Sequence, residues 1–177
     1  MANSEIAFKD LRVRSYNLFE NQWLLLCSGD YKSGKLNAMT IAWGSIGSMW
    51  SKPFVQVVVR PSRYTYEFMN EYPGFTVTAF PKEYRKALAL LGAKSGRDSD
   101  KITEAGLTPI ASQKIAAPTF KEANLTLECE KNYWADMNPE QFLKEEIFQK
   151  YPEKDYHRIY FGEIVAIHGD TSLYSAH

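Results

Sequence analysis

The feature that most constrains this chain is a succession of short apolar and β-branched runs, each closed by glycine, proline or a polar turn. Several are joined by turns too short to hold a crossover helix. Gln22 to Ser28 is a continuous apolar run closed by Gly29. After the turn-rich stretch Gly29 to Lys35, Leu36 to Trp43 resumes a β pattern, so the two read as a hairpin. Phe54 to Arg60 is rich in valine and stops at Pro61. Phe75 to Phe80 alternates and stops at Pro81. Leu125, Leu127 and Cys129 alternate with Thr126, Glu128 and Glu130 as in a half-buried strand, and His157 to His168 is a longer strand with Gly162 as a bulge.

Helical spacing is confined to three places. Tyr64 to Tyr72 aligns Tyr64, Phe68 and Tyr72 and ends at Pro73-Gly74. Lys82 to Leu91 places Tyr84, Leu88 and Leu91 on one stripe, with Gly92 as its stop. A third turn is expected to start at Asp98 or Ser99 and to end at Gly106. Six or seven strands with helical insertions predict a mainly β fold, a barrel or closed sheet, in one domain over residues 1–177.

Charge narrows the function. Lys plus Arg and Asp plus Glu number 21 each, so no net field draws the chain to nucleic acid or to an anionic membrane; a bound anion must be caught locally. No apolar run is long enough to span a bilayer and no leader pattern opens the sequence, so a cytoplasmic location is expected. Cys27 and Cys129 lie in apolar runs and read as buried thiols. The Asn124-Leu125-Thr126 sequon is idle in that compartment.

The familiar catalytic patterns fail one by one. Gly29 to Lys35 has the spacing G-x-x-x-x-G-K, yet Leu36 stands where a hydroxyl must hold magnesium, and a β pattern follows where the phosphate needs a helix. His157, His168 and His177 make no metal-ligand spacing with the two cysteines. Gly44-Ser45-Ile46-Gly47 is no nucleophile elbow, and no dinucleotide-binding glycine motif is present. Glu128 and Glu130 share a strand face and read as solvated. Chemistry carried by a bound organic cofactor needs none of these groups.

Two stretches suit an amphipathic anion. Asn37-Ala38-Met39-Thr40-Ile41-Ala42-Trp43 is a strand with polar and apolar groups on both faces. Arg60-Pro61-Ser62-Arg63-Tyr64-Thr65 sets two guanidinium groups and two hydroxyls around a helix start. Taken alone, Met39 and Trp43 suit a barrel core equally well, Arg60 and Arg63 suit solvated element ends, and Lys101 suits an ordinary exposed position.

The order Asn37-x-Met39-Thr40-x-x-Trp43, Pro53 before a valine-rich strand, Arg60-x-x-Arg63-x-Thr65-x-Glu67 and Gly74-x-x-Val77 resembles the flavin reductase-like FMN-binding family, its flavoredoxin-type branch most. Ser95-Gly96-Arg97-Asp98-x-Asp100-Lys101 with Gly106-Leu107-Thr108, and His157-x-x-x-x-Gly162-Glu163-Ile164, extend the likeness over roughly residues 15 to 170. The resemblance implies a split β-barrel, FMN near a homodimer interface, and an FMN-dependent oxidoreductase that takes hydride from NADH or NADPH and passes it to a flavin, a small molecule or a redox protein. The alternative is a flavoredoxin-like electron carrier without efficient nicotinamide reductase activity. Carried over by position, Asn37, Met39, Thr40 and Trp43 should line the isoalloxazine, with Ser45 and Ser48 on the loop Ser45 to Lys52 as further candidates. Arg60, Ser62, Arg63 and Thr65 should meet the phosphate and ribityl chain, with Lys101 reaching the phosphate from elsewhere. No catalytic side chain and no metal is implied. Lys52-Pro53 replaces the two prolines common in relatives, which bears on access to the flavin's exposed face.

Overall fold

The computed structural model describes residues 3–175; His177 lies outside them. The chain forms β1 (Ser4–Glu5), β2 (Leu24–Asp30), β3 (Lys35–Ile41), β4 (Gly44–Met49), β5 (Lys52–Val59), α1 (Tyr64–Glu71), β6 (Gly74–Ala79), α2 (Arg85–Ala93), α3 (Lys101–Glu104), β7 (Pro109–Ile110), β8 (Thr119–Phe120), β9 (Leu125–Asp136), β10 (Arg158–Gly169) and α4 (Thr171–Tyr174). One antiparallel sheet runs in the order β3-β2-β6-β9-β10-β5-β4, with β1 on the far end of β10 and β7-β8 a separate ribbon. The two end strands, β3 and β4, are consecutive in the chain and separated only by Ala42 and Trp43. The sheet therefore curls until its edges approach, which is a barrel with one split.

Both faces of the sheet are covered near the split. Leu24, Leu26, Met39, Val57, Phe75, Val77 and Tyr160 point into the barrel. Leu25, Cys27, Ala38, Leu88, Leu91 and Ile102 form a second core between the barrel and α2–α3. This double burial is why Gln22 to Ser28 is uninterruptedly apolar instead of alternating. Cys27 and Cys129 are buried free thiols.

The expected strands are present, with corrections at their ends. The first begins at Leu24, because Asn17–Gln22 is a π-helical turn and Trp23 adopts φ 63°. Gly29 lies inside β2 opposite Leu36; a Cβ there would sit 2.3 Å from the Lys35 carbonyl oxygen at φ +134°, so the position is closed to other residues. Ser45 to Lys52 is not a loop: it holds β4, turned at Trp50-Ser51 into β5, with φ 52° and 59° at the two turn residues. Those are the dihedral signs of a type I′ hairpin, which Trp-Ser does not advertise as Asn-Gly would. Gly92 does not end α2, which continues to Ala93, and Asp100, not Asp98 or Ser99, caps α3 through the Thr103 amide. The bulge at Gly162 is present as a register shift between Phe161 and Gly162.

Glu128 is not solvated. It is 1% exposed, under the segment between β7 and β8, and its two oxygens accept from the Gln113 and Lys114 amides at 2.9 and 2.7 Å. Its neighbour Thr126 is likewise buried, sharing a 2.6 Å hydrogen bond with Thr119, so β9 is covered on both faces as far as Cys129.

Candidate functional site

Where β3 leaves the barrel toward β4, Met39, Thr40, Ile41, Ala42, Trp43, Val58, Arg60 and His157 enclose a small open cavity of about 200 Å3. Met39 is buried, whereas Trp43 is 42% exposed and forms one wall, its ring centroid 5.3 Å from that of His157. His157 is buried, and its Nδ1 shares a 2.7 Å hydrogen bond with the Tyr151 hydroxyl. Burial, then the nearby Arg60 charge, lowers its pKa to about 4, with Asp155 opposing. The imidazole is therefore neutral at pH 7, a hydrogen-bonding wall and not a cation.

Arg60 is engaged by the segment that precedes β10. Its Nη1 donates to Asp155 Oδ1 and its Nη2 to the Lys150 carbonyl, both at 2.6 Å, and its Cζ lies 4.8 Å from the centre of the Tyr151 ring. Ser62 Oγ donates to the other Asp155 oxygen at 3.0 Å. Against partial burial, Ser62 and Arg60 hold the Asp155 carboxyl below the usual carboxylate range.

Between β3 and the start of α3 lies a second, larger cleft of about 530 Å3, lined by Asn37, Gly96, Arg97, Asp98, Asp100, Lys101 and their neighbours, with Asp100 engaged as the α3 cap. Asn37 Nδ2 donates to Thr65 Oγ1 at 2.7 Å, both side chains buried. Gly96 packs directly on this pair: a Cβ there would lie 2.1 Å from Asn37 Oδ1. Lys101 is 3% exposed and donates to the Leu91 and Lys94 carbonyls at 3.0 Å each. Burial, then the Arg63 charge, lowers its pKa to about 8, with Cys27 opposing. Arg63 donates to the Gly92 carbonyl at 2.5 Å, and burial followed by the Arg60 charge draws its pKa down.

Arg60, Arg63 and Lys101 thus form a row of mutually repelling cations. Only Arg60 is paired with a carboxylate among the described residues. Two partly desolvated cations that bond only to carbonyls have the chemistry of an anion site that lacks its anion.

Met39, Thr40, Trp43 and Arg60 line the first cavity; Asn37 and Lys101 line the second. Thr40 also donates to the Leu88 carbonyl at 2.5 Å, fixing β3 against α2. Arg63 and Thr65 line neither space, Thr65 accepting from Asn37 and Arg63 donating to the Gly92 carbonyl, and Ser62 serves Asp155. Ser45 and Ser48 belong to β4, where Ser45 donates to Gln56 at 2.8 Å and Ser48 faces Pro53; neither lines either cavity. Sequence reasoning left out His157, Tyr151, Asp155 and Arg97 as site residues. His157 and Arg97 belong to the motifs that carry the family resemblance, and the aromatic run Phe142, Phe148, Tyr151, Tyr156 is the remaining signal. A third and larger concavity, about 980 Å3 beside Gln22, Phe80 and Tyr174, holds none of the predicted site residues. Its polar floor is already bonded internally, Gln22 to the Tyr174 hydroxyl and that hydroxyl to Asn124.

Residues 17–176 match the family described as Flavin reductase like domain, and the chain belongs to that family. An uncharacterised protein of Archaeoglobus fulgidus is 29% identical over 138 residues, 77% of this chain and 68% of its own length. Among solved structures, the fold is shared with a flavoredoxin of Desulfovibrio vulgaris (TM-score 0.66, 22% identity, 91% of this chain and 75% of that one). It is shared also with the nitrilotriacetate monooxygenase component B of Bacillus cereus (TM-score 0.68, 22% identity, 89% and 75%). These likenesses are to the split-barrel, flavin reductase-like fold. No helix among the described residues is long and apolar enough to cross a membrane.

Proposed function

We propose that this chain binds FMN and works as an FMN-dependent oxidoreductase of the NAD(P)H:flavin reductase type. The observation that carries the reading is the row Arg63–Lys101, two partly buried cations without a carboxylate, placed one helix start away from a cavity walled by Trp43 and His157. A phosphate monoester supplies the missing negative charge, and a flat ring supplies the missing apolar contact. When bound, FMN supplies a ring that accepts hydride and releases electrons one or two at a time.

The protein's part is orientation and electrostatics. Arg63 and Lys101 hold the phosphate, while Arg97, already paired with Glu67, borders the cleft; Asn37 and Thr65 offer amide and hydroxyl groups to the ribityl chain. Met39, Thr40 and Trp43 wall the ring. Arg60 falls to the ring cavity, because Asp155 and Lys150 already occupy its donors on the outer side. His157, neutral above pH 5, offers a hydrogen bond without adding charge. Trp43, Met49 and Trp50 leave much apolar surface open along β3, β4 and their turns, and we assign it to a second copy of the chain in a homodimer that covers the ring cavity.

The visible spectrum of protein purified from flavin-replete cells tests the cofactor: a flavin absorption that survives gel filtration is expected, and colourless protein that takes up no added FMN overturns it. Anaerobic mixing with NADH and with NADPH then tests the activity. Rapid bleaching is expected. A yellow protein bleached by neither is an electron carrier of the flavoredoxin kind.

A further inference from the structure

A separate cavity of about 400 Å3 opens between the C-terminal turn of α1 (Met69, Asn70), the outer half of β9 (Lys131, Tyr133, Trp134) and Tyr160 of β10. It shares no lining residue with the two clefts described above. Asn132, exposed on β9, lines it as well and can turn either its amide oxygen or its NH2 toward the opening. Arg158 binds Asp136 through Nε and Nη2, both at 2.7 Å, so the carboxylate here is already neutralised. Asn70 Oδ1 accepts from the Tyr160 hydroxyl at 2.7 Å and from Arg158 Nη1 at 3.1 Å. Because arginine only donates, the amide's orientation is set, and its NH2 group has no protein acceptor among the described residues. Lys131 Nζ donates to the Met69 carbonyl and stands 5.8 Å from the centre of the Tyr160 ring, with no carboxylate partner among the described residues.

A half-buried ammonium and a free amide NH2, with no carboxylate among the residues that line the cavity, suit an anion. The remaining walls are the Trp134 indole, about half exposed, and the Tyr160 phenol; the Tyr133 ring turns to the other face of β9, against Phe161 and Trp50. At about 400 Å3 the space is near the lower end of small-molecule sites, suited to one ring and not to a dinucleotide. We propose that this cavity binds a small aromatic carboxylate, its carboxylate held by Lys131 Nζ and the Asn70 amide and its ring lying against the exposed part of the Trp134 indole.

The electrostatics agree. Burial lowers the Lys131 pKa to about 8, and an entering carboxylate reverses that effect, so binding favours the protonated amine and weakens as pH rises beyond 8. Of the other titratable groups, Tyr133 and Tyr160 line the cavity, and Arg158, Asp136 and Tyr66 stand next to it, Arg158 bonded to Asn70 and Asp136 and lying over the Tyr66 ring. Asp136 is held low by its bond to Arg158, and Tyr160 is pushed up by burial.

Sodium benzoate, titrated into the purified protein while tryptophan fluorescence is followed, tests the site; benzamide is the uncharged control. Saturable quenching by benzoate, with benzamide at least about tenfold weaker, is expected, as is loss of benzoate affinity above pH 8. Lys131→Met and Asn70→Asp should each weaken benzoate about tenfold or more, while Lys131→Arg keeps it within about threefold. If Lys131→Met fails to fold, Asn70→Asp and the wild-type pH series decide. Benzoate that does not saturate, that benzamide matches, or that binds Lys131→Met and Asn70→Asp as it binds the wild type overturns the assignment.

Discussion

Asp155 crosses 95 positions of sequence to bind Arg60 at 2.6 Å, and through its second oxygen it accepts from Ser62 at 3.0 Å. One carboxylate therefore ties the segment before β10 to the turn that opens α1. The same contact fixes which way Arg60 faces and seats Tyr151, whose hydroxyl meets His157. The wall of the ring cavity is built by residues from opposite ends of the chain and locked by a single acid.

Asp155→Asn should loosen that lock. The pair is about a quarter exposed, so its contribution lies between that of a surface and a buried bridge, roughly 1–2 kcal/mol, or about 2–8 °C in melting temperature for a chain of this size. Because the folded pKa of Asp155 lies below its unfolded value, this stability is present above about pH 4 and disappears as pH falls through the folded pKa. Melting curves of wild type and variant should differ at pH 7 and converge in strong acid; equal melting temperatures at pH 7 would contradict the coupling.

Lys101 produces opposite pH trends in two measurements. Its folded pKa of about 8 lies below the free amine's, so the folded state holds the proton less tightly and FMN-free protein gains stability between about pH 8 and 10.5. FMN affinity should fall over the same window, because the phosphate loses a cation. Lys131 contributes to the stability trend in the same range, so the reading is the difference between wild type and Lys101→Met. That variant should flatten the pH dependence of the FMN dissociation constant and weaken binding about 10- to 150-fold at pH 7, the worth of one charge-assisted hydrogen bond.

Why some of this was legible and some not follows from range. β2, β5 and β6 announce themselves because their apolar runs are bounded by Gly and Pro within a few residues, and Asn37, Met39 and Trp43 lie on such a run. Glu128 looked solvated because strand alternation reports only one neighbour layer. The segment that covers it, Ala111 to Pro118, has no periodicity of its own and is held by Glu128 itself through two backbone amides. Lys101 and Arg63 are ordinary residues in sequence; their desolvation arises from α1, α2 and α3 converging on β3. Asp155 carries no local signal, since its partners Arg60 and Ser62 lie 95 and 93 positions away, brought alongside only by the pairing of β5 with β10.

Gly96 should tolerate no side chain. Its missing Cβ leaves the space that Asn37 Oδ1 occupies, so Gly96→Ala forces Asn37 away from Thr65 or moves the loop. Overpacking of this kind costs about 1–3 kcal/mol. Both groups are assigned to the ribityl chain, so FMN affinity should fall about tenfold even where the variant is fully folded. Spectrophotometric titration with FMN, done beside a melting curve, separates the two effects, and unchanged affinity in a folded variant would remove Asn37 and Thr65 from the site.

The turn between β4 and β5 offers a gain instead of a loss. Trp50 and Ser51 both sit in the left-handed region, at φ 52° and 59°. A residue with a Cβ carries about 1–2 kcal/mol of strain there, against roughly 0.5–1 kcal/mol of extra chain entropy that glycine loses on folding. Ser51→Gly should therefore stabilise the protein by about 0.5–1 kcal/mol, raising the melting temperature by about 1–4 °C. Trp50 answers differently although its backbone is equally strained: its ring lies 6.1 Å from both Tyr133 and Phe161, and Trp50→Gly removes those contacts with the strain. Ser51→Gly stabilising while Trp50→Gly destabilises is the expected pair of results in thermal melts. Two gains would mean that the Trp50 ring contributes nothing to holding the β4–β5 hairpin against β9 and β10.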